Sequence, residues 1–424
     1  MDIANSKRSM RKLIFKLTLL LFSAFLVTSC SEDRMPDWPA SEPDASLTRS
    51  VESDVRSLDE ALEYADSFFS QYSGDKTRAS RSVESIEYIT SGDRTRSGAA
   101  DTLFYLVNYS SNQGFALLGR PAESYDIYAI STEGRLKMSD TIQNKGLAEF
   151  FTLATEHAVA ASSIVVAPWD SVSIRWYYNI TRKLEPMLHK NLTVWNQSHP
   201  FNQYCPMVNG KRGVAGCGPV AVATLMAHYR WPERMGNSYY NWDAIVEGND
   251  YLKISRLIED LAAPEYLNAV YPEMQDGVTG ALRVIFPRTV VNRTFMKWGY
   301  DTSISYNYSV FKTVKDDLFS FMSKGCLQAC AAPVLMYGET SNGGHIWIVD
   351  GFIERTKSRT MLDNPFNKPV EVDPLLHMIW GWGGNSNGYF AYIRDSDLLS
   401  ENPIVGDGVG GQYAGLKVYG RYAK

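Results

Sequence analysis

A tight glycine turn that leads directly into an apolar helix most constrains the fold of this chain. Residues 213–229, GVAGCGPVAVATLMAHY, place Cys217 between two glycines and Pro219 at a first helical position, where a missing N–H costs nothing. The small and apolar residues 220–229 predict a packed helix. Unpaired N–H groups and the helix dipole at such an N-terminus favour a thiolate. Cys217 is therefore a candidate nucleophile, and a buried structural cysteine is the alternative.

A candidate partner for Cys217 lies 128 residues downstream, in residues 343–351, GGHIWIVDG. This segment predicts a glycine turn, a short strand and another turn, with His345 at the start of the strand. Any one of the six histidines, taken alone, is more often structural than catalytic. His345 differs because glycines on one side and an aromatic-rich strand on the other can hold its imidazole rigidly. Cysteine and histidine far apart in sequence but adjacent in space are typical of a thiol hydrolase.

Four sequence blocks occur in order over residues 190–392. They are VWNQSHPFNQYCP at 194–206, GCGPVA around Cys217, GGHIWIVDGF around His345, and WGWGGNSNGYF at 380–390. Together they resemble the streptopain family of papain-like cysteine peptidases, which are made as zymogens. The resemblance implies an α+β fold, in which a small α+β prodomain precedes a papain-like two-lobed domain. Helices would surround Cys217 and antiparallel strands would surround His345.

The resemblance also implies a role for each site residue of a cysteine-type endopeptidase. Cys217 would be the nucleophile, and His345 the general base that pairs with it and later protonates the leaving amine. The Gln197 side chain and the backbone N–H of Cys217 would form an oxyanion hole, in which one preorganised donor lowers the barrier by about 3 to 4 kcal/mol. Trp380 would stack beside the imidazole and shield it from water. Without the resemblance, Gln197 is a polar surface residue and Trp380 a core aromatic.

One position departs from the family pattern. The family usually has Asn immediately before Trp380, where its side chain orients the imidazole, and this chain has Ile379. Isoleucine can neither donate nor accept a hydrogen bond, and loss of an orienting group costs rate in such triads. Asn385 and Asn387 lie nearby in the sequence and could substitute. A catalytically weak or inactive homologue that acts as a surface binding protein is therefore an alternative to an active peptidase.

The N-terminal residues indicate export. Basic residues precede and enter an apolar run at 13–27, which is too short and too basic-flanked for a transmembrane helix. The run ends in Val-Thr-Ser-Cys30, which matches the bacterial lipobox. We therefore expect residues 1–29 to be a lipoprotein signal peptide and Cys30 to carry the lipid that anchors an outer-membrane lipoprotein, at the cell surface or in the periplasm. The alternative is an ordinary secretory signal that is cut near Ser29.

The residues between the signal and the peptidase blocks predict a tether followed by a small domain. Residues 30–57 are rich in Pro, Ser, Asp and Glu and suggest a flexible tether. An amphipathic helix at 57–70 begins with a capping box of Ser57 and Glu60. The polar, arginine-containing residues 77–97 predict an exposed loop. The remaining predicted elements are strands at 103–109, 114–118 and 125–130 and a helix at 147–160.

The predicted helix and hairpin resemble the family's prodomain. We therefore expect a prodomain at 58–155, a linker at 156–185 and a peptidase domain at 186–424. By resemblance, the prodomain would block the cleft as an intramolecular inhibitor until it is cleaved. A plain accessory domain is the alternative.

The amino-acid composition limits the classes of substrate, cofactor and binding partner that this chain could have. The net charge is −5 and no basic stripe is visible, which argues against nucleic acid and leaves protein or peptide substrates. The sequence contains neither paired Cys-x-x-Cys nor His-Glu-x-x-His, so we expect no metal and no other cofactor. Aromatic residues make up 12% of the chain, which also suits a glycan- or host-binding surface lipoprotein, a third possible function.

The five cysteines leave four once Cys30 is lipidated. A bridge between Cys205 and Cys217 would silence the nucleophile, so we predict that Cys217 is free. Cys326 and Cys330 are close enough in sequence to share one helical turn, and the sequence leaves their redox state open.

Overall fold

The computed structural model describes residues 55–73, 81–91, 102–163, 176–208, 210–269, 287–300, 332–340, 343–359, 370–393 and 414–421. These residues combine helices with one large antiparallel sheet and two short ladders, which confirms the predicted α+β class. Cys30, Cys326 and Cys330 lie outside the described residues, as do the predicted signal peptide and most of the predicted tether. None of the helices in the described ranges is long and apolar enough to cross a membrane.

The N-terminal part is a four-stranded sheet with two helices. Its elements are α1 (Leu58–Ser73), β1 (Val83–Thr90), β2 (Thr102–Tyr109), β3 (Phe115–Gly119), β4 (Ile127–Ser131) and α2 (Lys145–Ser162). Helix α1 begins as predicted, with the hydroxyl of Ser57 accepting the backbone N–H of Glu60 at 3.2 Å. Every residue of β3 and β4 is buried, because helices and neighbouring strands cover both faces.

Strand β1 corrects the prediction of a loop at residues 77–97. It pairs with β2 in antiparallel register from Val83 to Thr90, but nearly all of its side chains are exposed. An edge strand is held by backbone hydrogen bonds and needs no apolar face of its own. Its sequence, VESIEYIT, does not alternate strictly between apolar and polar residues, so an interpretation based on hydrophobic alternation does not recognise it.

The end of the predicted tether is anchored. Arg56 is only 5% exposed, and its backbone N–H donates to the carbonyl of Arg120 at 2.7 Å. Its guanidinium donates to backbone carbonyls of the turn between β3 and β4, those of Gly119, Pro121, Ala122, Ser124 and Tyr125. Residues 55–57 therefore form part of the folded domain, because one buried cation satisfies the carbonyls of a whole turn.

The helical lobe surrounds one buried helix. Its helices are α3 (Lys190–Thr193), α4 (Cys217–Tyr229), α5 (Trp242–Val246), α6 (Tyr251–Ala262) and α7 (Pro287–Lys297). Two short antiparallel ladders accompany them. In the first, β6 (Met207–Val208) pairs with β7 (Lys211–Arg212), and in the second, β8 (Arg234–Met235) pairs with β9 (Ser238–Tyr239). Helix α4 is buried at every position from Gly218 to Ala227, as its uniformly apolar sequence requires. Helix α6 packs against it through one apolar face, with Ile254, Leu257, Ile258 and Leu261 buried.

The large sheet continues through both predicted domains. Its remaining strands are β5 (Trp176–Leu184), β10 (Val334–Thr340), β11 (Gly343–Arg359), β12 (Val370–Ile379), β13 (Gly388–Ala391) and β14 (Ala414–Arg421). The strand order is β1-β2-β3-β4-β13-β12-β11-β10-β14, and β5 pairs with the distal half of β11. The junction is formed by β4 and β13, where Tyr389 pairs with Ile130 and Phe390 with Ala129.

Two features of this sheet differ from the sequence-based expectations. Strand β11 was expected to be short and to turn at Gly351, but it runs through Gly351 to Arg359. Three strands, β10, β12 and β5, form backbone hydrogen bonds with β11 along its length. These pairings keep the chain extended through Gly351. The residues 156–185, predicted as a linker, contain the end of α2 and the whole of β5.

Apolar side chains cover both faces of the sheet near β11. Ile346 and Ile348 belong to the cluster around α4, whereas Trp347 and Val349 belong to the cluster that includes α1 and α2. This alternation follows from the two-residue period of a strand. Strand β11 is therefore buried between the helical lobe and the N-terminal domain.

Replacing Arg56 tests whether the end of the predicted tether stabilises the fold. Arg56→Met leaves buried carbonyls without a donor, so we expect the free energy of unfolding to fall by about 3 kcal/mol, measured by chemical denaturation of the full chain. Arg135→Met is the matched control, because Arg135 pairs with Glu84 at an exposed position and should cost about 1 kcal/mol or less. Equal losses in the two variants would contradict the anchoring role.

Candidate active site

Cys217 is the first residue of α4, three residues earlier than the predicted start of the apolar run. The preceding Gly216 has φ 84° and ψ 145°, a left-handed conformation that glycine adopts without the steric cost of a side chain. This turn directs the chain into the helix and leaves the first backbone N–H groups without helical partners. The local sequence therefore places the thiol at a helix N-terminus, as predicted.

The Cys217 thiol is not held as a thiolate in this structure. Burial raises the pKa of the Cys217 thiol, although backbone N–H groups of Ile346, Gly218 and Cys217 itself act in the opposite direction. The predicted effect of the helix terminus is therefore present but smaller than the effect of burial. Neither Cys217 nor Cys205 forms a disulfide within the described residues, so the Cys217 sulfur is available for chemistry.

His345 lies near the start of β11, as predicted, and is only 3% exposed. Its Nε2 lies 3.0 Å from the backbone oxygen of Trp380. Because a carbonyl can only accept, the neutral imidazole carries its proton on Nε2 and has a free lone pair on Nδ1. Burial lowers the pKa of His345 to about 4, and the hydrogen bond to Trp380 only partly opposes this.

The imidazole and the thiol lie close in the fold but do not engage each other. His345 stacks on Trp347, two residues along the same strand, with ring centroids 5.9 Å apart and planes 17° apart. It therefore lies on the face of β11 that α2 covers, whereas Cys217 contacts the backbone N–H of the intervening residue, Ile346. Across the described residues, no hydrogen bond joins Cys217 to His345.

The first turn of α2 lies directly against the imidazole. A Cβ atom placed on Gly146 would lie 2.5 Å from Cδ2 of His345 and 2.9 Å from Cζ3 of Trp380, which is closer than real Cβ contacts. The helix is fixed here by its cap, since the side chain of Asn144 accepts the N–H of Leu147 at 3.0 Å. Only glycine at this position allows such a close approach of the helix to both rings.

Gln197 is buried next to the nucleophile's loop rather than exposed on the surface. Its side chain is 1% exposed, and its carbonyl accepts the N–H of Ala215, two residues before Cys217. Within the described part of the chain, neither Oε1 nor Nε2 of its amide has a hydrogen-bond partner. A buried amide without partners is costly, so this side chain fits the predicted role of a donor to a bound group.

Trp380 contacts the imidazole of His345 through its backbone oxygen, whereas the prediction was that its ring stacks beside the imidazole. The ring that stacks on His345 is that of Trp347, which the sequence analysis did not single out. Trp380 packs beside Trp347, with centroids 5.2 Å apart, and contributes its backbone carbonyl to His345. The Trp-Gly-Trp-Gly-Gly block therefore reaches the imidazole through a backbone atom.

No asparagine side chain replaces the missing orienting group in this state. Ile379 is buried in the cluster around α4. Asn387 binds backbone instead of the imidazole: its Oδ1 accepts the N–H of Trp380 at 3.1 Å and its Nδ2 donates to the carbonyl of Thr193 at 2.9 Å. Asn385 is exposed.

Among the described residues, no group of three or more His, Cys, Asp or Glu side chains could hold a metal ion.

Two family models match this chain in succession. Residues 48–158 match the Spi protease inhibitor model, and residues 195–390 match the Peptidase C10 family model. The first segment contains Gly146 and most of α2, and the second contains Gln197, Cys217 and His345. The order of the two matches agrees with the predicted order of prodomain and peptidase domain.

Individual relatives show the same similarity. Streptopain of Streptococcus pyogenes is 23% identical over 403 residues, which cover 84% of this chain and 89% of streptopain. The thiol protease/hemagglutinin PrtT of Porphyromonas gingivalis is 25% identical over 241 residues, 51% of this chain but only 24% of PrtT. A solved prointerpain A fragment of Prevotella intermedia is 18% identical, with a TM-score of 0.47, and the match covers 75% of this chain and 93% of the fragment.

The segment that carries the predicted nucleophile and base is thus the segment that matches the peptidase model. The predicted streptopain-type family and the predicted cysteine-type endopeptidase class are both confirmed. Residues 195–390 match the peptidase C10 family of cysteine peptidases, and an inhibitor-like prodomain lies ahead of this peptidase segment.

Proposed function

We propose that this chain is the zymogen of an exported, lipid-anchored cysteine endopeptidase, kept inactive by its own prodomain. One observation carries the proposal: Gly146, in the inhibitor-like segment, lies against the imidazole of His345 in the peptidase segment. An inhibitor needs such a contact with the reacting groups, whereas a plain accessory domain does not.

The reaction is acyl transfer to the Cys217 sulfur. The Cys217 thiolate attacks the scissile carbonyl carbon, and the resulting tetrahedral intermediate expels the amine, which takes a proton from His345. This leaves a thioester on Cys217. His345 then removes a proton from water, which attacks the thioester and releases the carboxylate product and the Cys217 thiolate.

The oxyanion of each tetrahedral intermediate would be bound by Gln197 and by the backbone N–H of Cys217. The unpartnered, buried amide of Gln197 supports this role, because a donor that is fixed before the reaction needs no reorganisation when charge develops. The start of α4 supplies the second donor in the same region. Protein and peptide substrates are the class that this chemistry serves.

Latency follows from the protonation state and position of the two groups. Burial raises the pKa of the Cys217 thiol and lowers the pKa of His345 to about 4, so both are neutral near pH 7. The imidazole is also stacked on Trp347, on the α2 side of β11. We infer that departure of α2 frees the imidazole to turn toward the thiol, after which proton transfer produces the ion pair.

Export and anchoring extend the proposal to the N-terminus. The basic-flanked apolar run and the lipobox-like residues before Cys30 support a lipidated cysteine in the outer membrane, facing the surface or the periplasm. An oxidising compartment would require a reductant for Cys217 to stay usable. Mass spectrometry of the membrane fraction would test this, since a diacylglyceryl adduct on an N-terminal Cys30 is expected and an unmodified N-terminus contradicts it.

A catalytically weak homologue is the second candidate, because Ile379 provides no polar group for the imidazole. In that function the peptidase scaffold would bind a partner without turnover. The two candidates share the same fold. They differ in whether the chain hydrolyses peptides after the prodomain is removed.

Proteolysis of a protein substrate tests the proposed activity. We expect the full chain, incubated with a thiol reductant, to shorten by about the mass of the prodomain and then to hydrolyse labelled casein. Cys217→Ala should abolish both processes, because it removes the nucleophile. Gln197→Ala should lower kcat by about 100-fold through loss of one oxyanion donor. Hydrolysis that persists in a contaminant-free Cys217→Ala preparation would rule out the mechanism.

The pH dependence of Cys217 alkylation tests latency. His345 has a pKa of about 4 in the full chain and is therefore neutral above that pH, where it provides no charge to stabilise a thiolate. Alkylation of Cys217 by iodoacetamide, followed by peptide mapping, should rise only in the alkaline range. After processing, a plateau near neutral pH that disappears in His345→Ala is expected. The same plateau in the intact chain would contradict the neutral pair.

Gly146→Ala tests the contact of α2 with His345. In an exposed helix this change stabilises by about 1 kcal/mol, but here the added Cβ collides with two buried rings. We therefore expect weaker docking of α2 and faster labelling of Cys217 in the full chain by an epoxide inhibitor of papain-like enzymes. Lys145→Ala, at the exposed neighbouring position, is the control. Equal labelling rates in the two variants would show that α2 does not govern access.

A further inference from the structure

A buried ion pair joins the inhibitor-like segment to the peptidase segment far from the reacting groups. Arg355 on β11 donates from Nη1 to Oδ2 of Asp126 at 2.7 Å and from Nη2 to Oδ1 at 3.4 Å. The two side chains are only 4% and 3% exposed. Asp126 immediately precedes β4 and belongs to residues 48–158, whereas Arg355 belongs to residues 195–390.

The surroundings of Arg355 leave Asp126 as its carboxylate partner. The neighbouring Glu354 is occupied by Arg182 of β5, whose Nε donates to Oε2 of Glu354 at 2.5 Å. Over the described ranges, Asp126 is the one carboxylate that pairs with Arg355. The guanidinium therefore relies on the N-terminal domain for neutralisation.

Aromatic rings shield this pair from water. The guanidinium carbon of Arg355 lies 5.4 Å from the ring centroid of Tyr178 on β5. Tyr64 of α1 meets Tyr178 edge-on, with centroids 5.3 Å apart, and Arg56 lies 6.0 Å from the ring centroid of Tyr64. Tyr64 belongs to the N-terminal domain and Tyr178 to β5, which pairs with β11, so the ion pair is enclosed only when the N-terminal domain is docked.

The energetics of such a pair favour selectivity over net stability. Desolvation of two charges offsets most of their attraction, so a buried pair is often no more stable than apolar residues of similar volume. Removal of one partner, however, leaves an uncompensated buried charge and is strongly unfavourable. A domain that docks here without a carboxylate at this point is therefore rejected.

We propose that Arg355 of the peptidase domain, with Tyr178 of the adjoining strand β5 beside it, forms a recognition site for a carboxylate-bearing turn, by which the domain selects its own prodomain through Asp126. The proposal rests on the proposed function only in taking residues 48–158 as the inhibitor. The site recognises the prodomain in the intact chain. It does so again after the connecting segment is cut, when only non-covalent contacts hold the prodomain to the peptidase domain.

Arg355 is separate from the catalytic machinery. It lies ten positions after His345 on β11, which corresponds to about 33 Å along a strand. Changes at this site therefore alter prodomain binding without touching the reacting groups. Asp126 offers the cleaner variant, because it lies in the part that processing removes, so the processed enzyme is identical to the wild type.

The test follows Cys217 labelling by the epoxide inhibitor in the full chain, which reports how often the prodomain opens. Asp126→Asn and Arg355→Gln should each raise the labelling rate by about 100-fold or more, because each leaves one buried group unmatched. The double replacement Asp126→Leu with Arg355→Met should return the rate to within about 10-fold of wild type. Glu123→Gln, on the exposed part of the same turn, is the matched control.

The outcomes separate this proposal from the proposed function. Asp126→Asn labelling within about 2-fold of Glu123→Gln, or a double variant no slower than either single one, would overturn the recognition site. Hydrogen–deuterium exchange of β4 and α2 in the full chain provides a readout without catalysis. Faster exchange there in Asp126→Asn, together with no labelling of the wild type even after processing, would retain the recognition site and reject the peptidase function.

Discussion

The pairing of β11 with three other strands is the constraint on which the rest of the structure depends. At one end β11 bonds to β10 and carries His345, in the middle it bonds to β12, and at the far end it bonds to β5 and carries Arg355. Its alternate side chains enter two different apolar clusters. Because the strand is fixed on both edges and both faces, the imidazole cannot move by bending the backbone. Its position is decided by what covers each face.

The prodomain continues the peptidase domain rather than filling a groove on its surface. Strand β4 pairs with β13, so the inhibitor-like segment extends the same sheet, and its helices complete the cluster that contains Trp347, Trp380 and Phe390. Loss of the prodomain would expose these rings together with a strand edge, both unfavourable in water. The inhibited state is therefore held by burial over a wide area. A polar lock such as Asp126–Arg355 adds selectivity to a junction whose affinity is mostly apolar.

The sequence was sufficient to place the predicted nucleophile at the start of a helix and the predicted base near the start of a strand, and insufficient for the protonation state of either group. Glycines around Cys217 and before His345 mark backbone turns that are local properties, so both elements were predicted correctly. The cover over the imidazole of His345 depends on Gly146, which is 199 residues away in the sequence, and no local pattern encodes that contact. The stacking of Trp347 was missed because the strand was treated as a support for His345 and not as a source of its neighbours. The sequence did not reveal strand β1 because its apolar residues do not alternate strictly with polar ones and nearly all of its side chains are exposed.

Two free-energy effects explain how the helix α2, which covers His345, can control ionisation of the Cys217–His345 pair. A helix terminus stabilises a nearby anion by about 0.3 to 1 kcal/mol. The lowering of the pKa of His345 to about 4, from an ordinary value near 6.5, corresponds to about 3 kcal/mol against the charged imidazole. Burial therefore outweighs the helix terminus as long as α2 covers the imidazole. Under the proposed function, exposure of the imidazole removes the larger effect and leaves the smaller one, which favours the thiolate. Under the proposed function, control lies in the helix that covers the imidazole, while the chemistry lies in a turn and a strand that need not change.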